Sequence, residues 1–158
     1  MKSNKGFTLI ELLAVIVILA IIALITLPIV IRIIDNAKKG AAEDSTYGVI
    51  ETARLFWTVN QADFSVSKQN VTFTCASTGV CSGTINKTND GGLTQTASTV
   101  TLDIDGTKPK AGTVTINGTA GTVAVKGLKF GDYTCTNVTT TGTGTSAVDT
   151  VNTKVTCS

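Results

Sequence analysis

Hydrophobic and polar positions divide the chain into three stretches. From Leu12 to Ile31 the run is almost unbroken, and Thr26 is its only polar side chain. About twenty apolar residues suffice for an α-helix to cross a hydrocarbon core roughly 30 Å thick. Beyond it, Ile34, Ala37, Ala41, Ser45, Gly48, Leu55, Phe56 and Val59 recur at spacings that predict one continuing helical stripe. Arg32, Asp35, Lys38, Lys39, Glu43, Asp44, Glu51 and Arg54 supply the polar remainder. A single helix from Phe7 to Val59 would be roughly 80 Å long at 1.5 Å per residue. Inside it, Pro28 lacks an N–H and opposes the preceding turn, which predicts a kink or local opening. Gly40 and Gly48 weaken the outer part by about 1 kcal/mol each relative to alanine.

After Asn60 the helical period disappears and threonine, glycine and valine dominate. Val100, Leu102 and Ile104 alternate with polar residues, as do Val114 with Ile116 and Val123 with Val125. Asp105-Gly106, Asn117-Gly118 and Gly131-Asp132 are turn signals. The expectation is a three- or four-stranded antiparallel sheet packed on the outer half of the helix, with Thr139–Ser146 as a flexible loop.

Charge sets the orientation. Lys2 and Lys5 precede the apolar run and no basic residue follows until Arg32, so the positive-inside rule puts the N-terminus in the cytoplasm. A cleaved secretory signal fits less well, because its shorter apolar core ends in a small-x-small cut site. A lipoprotein signal is excluded by the position of the first cysteine, Cys75. Glu11 stands at the head of the apolar run. An ionised group there is costly unless paired or functional, so either it has a partner or its carboxylate turns to water at the membrane edge.

Residues Gly6-Phe7-Thr8-Leu9-Ile10-Glu11-Leu12-Leu13, behind a basic leader and ahead of an apolar helix, resemble the type III signal of the type IV pilin and pseudopilin superfamily. The resemblance covers about residues 1 to 60. It implies cleavage between Gly6 and Phe7 by a prepilin peptidase that also methylates the new amino terminus of Phe7. It further implies an assembly role for Glu11 paired with the Phe7 ammonium of a neighbouring subunit. Such a pair penalises wrong registers, since removing one partner leaves a buried charge uncompensated. Loss of Lys2 and Lys5 takes the 13 basic residues to 11, against 11 acidic ones. Pilins also carry a proline at the position of Pro28, which favours the kink.

Four cysteines on the outer side, Cys75, Cys81, Cys135 and Cys157, predict disulfides, with three connectivities open. The local pairs Cys75–Cys81 and Cys135–Cys157 are favoured, the second closing a C-terminal loop as in many type IV pilins. The fold expected is α+β: the pilin "ladle", a long N-terminal helix packed against a C-terminal antiparallel sheet domain. Its parts are a leader over residues 1–6, the helix over 7–60 and a threonine- and glycine-rich surface domain over 61–158.

Catalytic signals are absent. Without histidine there is no Ser-His or Cys-His pair, and no phosphate loop or metalloprotease motif occurs. Zinc is disfavoured by the cysteine spacing, and no cofactor or metal is expected. Asp103-Ile104-Asp105-Gly106 hints at calcium but reads better as a strand entering a turn. Lys108, Lys110, Lys126 and Lys129 with Phe130 and Tyr133 could form a basic patch for nucleic acid, but the near-neutral mature charge favours ordinary solvated lysines. Asn70, Asn86, Asn117 and Asn137 begin N-x-Thr sequons, with glycosylation undecided.

The leading reading is a structural subunit, a major pilin, anchored once in the cytoplasmic membrane before it polymerises into an extracellular pilus for adhesion, motility or DNA uptake. Expected partners are its own copies, the prepilin peptidase and N-methyltransferase, the pilus assembly platform protein and ATPase, and the inner or cytoplasmic membrane. The alternatives are a pseudopilin of a type II secretion or competence system and a tethered adhesin domain that never polymerises.

Overall fold

The computed structural model describes residues 6–61, 69–88, 95–141 and 148–158. In chain order the elements are α1 (Leu9–Val59), β1 (Val71–Cys75), β2 (Cys81–Thr88), β3 (Gln95–Leu102), β4 (Thr113–Ile116), β5 (Val123–Lys126), β6 (Leu128–Phe130), β7 (Tyr133–Thr141) and β8 (Val148–Cys157). One long helix and antiparallel sheets make this an α+β pilin-type fold. By contacts the chain forms two compact units, one ending at Lys38 and one from Lys39 to Ser158.

Within the second unit, β1 to β5 form an antiparallel sheet in the order β3-β2-β1-β4-β5, and β6-β7-β8 form another. The expected sheet of three or four strands is thus corrected to eight strands in two sheets among the described residues. The valine pairs predicted from alternation lie on β4 and β5, with Val114, Ile116, Val123 and Val125 buried. The strands not foreseen, such as β2 and β8, have few apolar residues to alternate. Thr139–Thr141 belongs to β7 rather than a loop, while residues 142–146 of that expected loop lie outside the described residues. Gly131-Asp132 is a two-residue hairpin turn between the paired Phe130 and Tyr133, with Gly131 at φ 60° as a primed turn requires.

The outer part of α1 contributes Ala42, Thr46, Val49, Ile50 and Ala53 to the core. Phe56 meets Phe73 of β1 edge to face, with centroids 5.2 Å apart at 83°. This corrects the expected stripe. Ala41, Gly48, Leu55 and Val59 are exposed, and the buried face lies about one residue, or 100°, around the helix. Thr46 tolerates complete burial because its hydroxyl donates to the Ala42 carbonyl at 2.9 Å. Trp57 donates from Nε1 to the Gly118 carbonyl at 3.2 Å. Its ring also occupies the space a Cβ would need at Gly121, whose φ is +65°.

Asn137 joins the two sheets. Its Oδ1 accepts the Val125 N–H at 2.6 Å and its Nδ2 donates to the Val123 carbonyl at 3.0 Å. The Thr136 hydroxyl donates to the Val125 carbonyl at 2.8 Å, so two side chains at an irregularity in β7 replace a neighbouring strand along β5. Asn137 is buried, and both ends of its amide are engaged. Changing it to alanine is expected to destabilise this unit by about 2–6 kcal/mol, since two buried backbone groups lose partners worth roughly 1–3 each. Thermal unfolding of the purified full chain, followed by near-ultraviolet circular dichroism, measures that loss.

Each disulfide, Cys75–Cys81 and Cys135–Cys157, links residues directly opposite on adjacent strands. Beside the second, Thr134 and Ser158 exchange both backbone hydrogen bonds, at 2.9 and 3.0 Å. Cys135 and Cys157 therefore form the adjacent non-hydrogen-bonded pair, whose side chains come closer together. Among the described residues no cysteine is free.

Candidate processing and assembly site

Gly6, Phe7 and Thr8 precede α1, and all three are exposed. A Cβ built on Gly6 meets nothing within 4 Å, and its φ lies outside the left-handed region. The chain's own conformation therefore accepts any residue at position 6. Phe7 is 89% exposed and touches no core.

The next residues cap the helix. The Thr8 N–H and the Thr8 hydroxyl both donate to Glu11 Oε2 at 2.8 Å, and the Glu11 N–H reaches back to Thr8 Oγ1 at 3.4 Å. The Leu12 N–H donates to the Thr8 carbonyl at 3.2 Å, the first bond of the helix. Thr8-Leu9-Ile10-Glu11 is thus a reciprocal capping box, with the carboxylate also at the positive end of the helix dipole. The spacing of a threonine and a glutamate three residues apart before an apolar run was the signal for it. The expectation that Glu11 needs a partner overlooked this local one. Every described contact of its carboxylate involves Oε2.

From Leu12 to Ile31 the helix is apolar and exposed, including Leu12, Ile16, Leu24 and Ile31. It is long and apolar enough to cross a membrane. Thr26 donates to the Ile22 carbonyl at 3.0 Å, so its hydroxyl is satisfied inside the helix. α1 continues through Pro28.

The other candidates behave differently. Asp103 and Asp105 are exposed, and among the described residues no cluster of potential metal ligands occurs. Lys110 and Lys129 are neighbours through backbone bonds, the Lys110 N–H donating to the Lys129 carbonyl at 2.8 Å. Phe130 is buried and cannot stack on a base, and Lys126 pairs with Asp149 at 3.2 Å. Hydrogen bonds from the Thr140 hydroxyl, then from Lys126, hold the Asp149 carboxyl below the usual carboxylate range. Of the sequon asparagines, Asn70 is exposed and Asn117 is half-buried. Asn117 spends its oxygen on the Thr119 and Ala120 N–H groups, at 3.0 and 2.8 Å. The Asn86 side chain lies outside the described residues.

Residues 1–27 match the family model of the prokaryotic N-terminal methylation motif, the signal motif of type IV pilins and prepilins. No curated protein and no solved structure matches the chain. The motif supports a type IV pilin-like or pseudopilin protein, a structural subunit rather than a member of an enzyme family. Together with the apolar helix, it is consistent with membrane anchoring before assembly.

Proposed function

We propose that this chain is a prepilin, cut between Gly6 and Phe7, methylated on Phe7 and polymerised through α1 into an extracellular pilus as its major subunit. The observation that carries this reading is the methylation motif joined to a capped helix whose apolar residues from Leu12 to Ile31 are exposed among the described residues. Lys2 and Lys5 hold the leader in the cytoplasm, and the surface domain stands outside. Before assembly the membrane covers the helix. In the filament, copies of the same helix replace lipid, and repeated heterologous contacts give an open helical polymer.

Cleavage removes the peptide bond before Phe7 but leaves the Thr8 N–H that caps Glu11. Oε2 stays with the cap, and Oε1 is left to meet the Phe7 ammonium of the next copy. Pro28 is the kink at which the helix adapts to its neighbours. The assembly partners are a prepilin peptidase with N-methyltransferase activity, a platform protein and an assembly ATPase.

A pseudopilin of a secretion or competence system shares the same N-terminal chemistry. Electron microscopy of material sheared from intact cells, combined with sequencing of the first residue, separates the two. Long filaments whose main protein begins at methylated Phe7 are expected. Absence of surface filaments, with the mature chain retained at the envelope, would favour the pseudopilin.

A further inference from the structure

Beside the outer face of β4 and β5, where the β7–β8 arm comes alongside, lies a cleft of about 240 Å³. Ala124, Val138 and Val151 supply its apolar lining. Its polar lining holds the Lys126–Asp149 pair, the amides of Asn70 and Asn117, and the hydroxyls of Thr113 and Thr115. These polar groups are oriented. Lys126 Nζ lies 3.2 and 3.4 Å from the two oxygens of Asp149 and 3.3 Å from the Thr140 hydroxyl. Asn70 Oδ1 accepts the Gly118 N–H at 3.4 Å and Asn117 Oδ1 accepts two further N–H groups, so Nδ2 is the end of each amide left to donate. Thr115 shares a hydrogen bond of 3.0 Å with Thr72.

The chemistry narrows the ligand. Lys126 is neutralised by Asp149, which disfavours phosphate and nucleic acid. One carboxylate is too few for a divalent cation. An extended peptide finds no ladder on this side of β5, because Asn137 and Thr136 already occupy it. What suits uncharged donors and acceptors set around a small apolar lining is a neutral polyhydroxylated ring, each of whose hydroxyls both gives and accepts a hydrogen bond. The hydroxyls also continue beyond the cleft in register: Thr113 lies opposite Thr74, Thr74 opposite Ser82, and Ser82 opposite Thr101.

We propose that this cleft binds one ring of a neutral saccharide, with the adjoining hydroxyl row extending the contact to a longer glycan. The site lies wholly within the surface domain and stands whether or not the chain polymerises. Its volume is below the roughly 300–1,000 Å³ of drug-sized sites, so it takes a single ring weakly.

The test uses the full-length chain, isotopically labelled, in a zwitterionic detergent without a sugar headgroup. Glucose, galactose, mannose, N-acetylglucosamine and N-acetylgalactosamine are titrated separately to about 50 mM, well above a dissociation constant on the order of 1 mM. At least one sugar is expected to shift the side-chain amide signals of Asn70 and Asn117 saturably. Thr115→Val, at a half-buried position, or Asp149→Asn, at an exposed one, is expected to weaken that binding about fivefold or more, the loss of one hydrogen bond. No saturable shift with any sugar overturns the proposal, as does sugar binding unchanged in both variants. Shifts produced only by inorganic phosphate or a short DNA strand would assign the cleft to anions instead.

Discussion

Gly6→Val is expected to leave the full precursor in the membrane, with the mature form at least about tenfold scarcer and filaments lost. A tenfold slower cut needs only about 1.4 kcal/mol at the transition state. The structure isolates the cause. Gly6 is exposed, nothing lies within 4 Å of its built Cβ, and α1 does not begin until Leu9. Valine is therefore expected to change nothing in the folded chain, so that a loss of cleavage would lie with the proposed peptidase. Mass spectrometry of the membrane fraction distinguishes the two forms by the leader. Normal amounts of a chain beginning at Phe7 would refute the assignment of the cut.

The second large effect concerns Glu11, where the cap on Thr8 and the proposed charge pairing with another copy coincide. Glu11→Ala removes both functions. Glu11→Gln keeps a neutral oxygen for the Thr8 N–H and removes only the charge. If the carboxylate neutralises the Phe7 ammonium of another copy, both variants should be inserted and cut normally, yet yield at least about tenfold fewer filaments, because one charge is left unpaired in an apolar bundle. The surface domain should keep its thermal transition. Filaments restored by glutamine but not by alanine would reduce Glu11 to a helix cap, worth about 0.5–2 kcal/mol. Normal filaments from both variants would leave it a tolerated charge at the membrane edge.

What could be read from the residues depended on whether one face of an element had one destination. The apolar run and the valine pairs of β4 and β5 each did, and their patterns were legible. The outer half of α1 has two small-to-apolar faces. One, through Ala42, Val49 and Ala53, covers the sheet; the other, through Ala41, Gly48 and Leu55, lies open. Period alone counts both and cannot say which is internal. β2 and β8 are hard to read for a different reason. Threonine favours extended backbone but leaves little apolar alternation to detect, and strands such as these are recognised by their partners. In the sequence Asn137 stands out only as a sequon, since nothing local reveals an amide that stands in for a strand. The capping box is legible, being four consecutive residues, although the charge of Glu11 is the more conspicuous signal.

The two cross-strand disulfides also decide how the surface domain would yield if stretched along the chain. A covalent link between directly paired residues removes the enclosed backbone from any extension. Between Cys135 and Cys157, 22 residues apart in sequence, that withholds roughly 75 Å of contour length at about 3.4 Å per residue. The Cys75–Cys81 link, six residues apart, withholds about 20 Å more. A single oxidised molecule pulled from its ends should therefore stop short of its reduced form by close to the sum of the two, while the backbone between Cys81 and Cys135 stays free to extend.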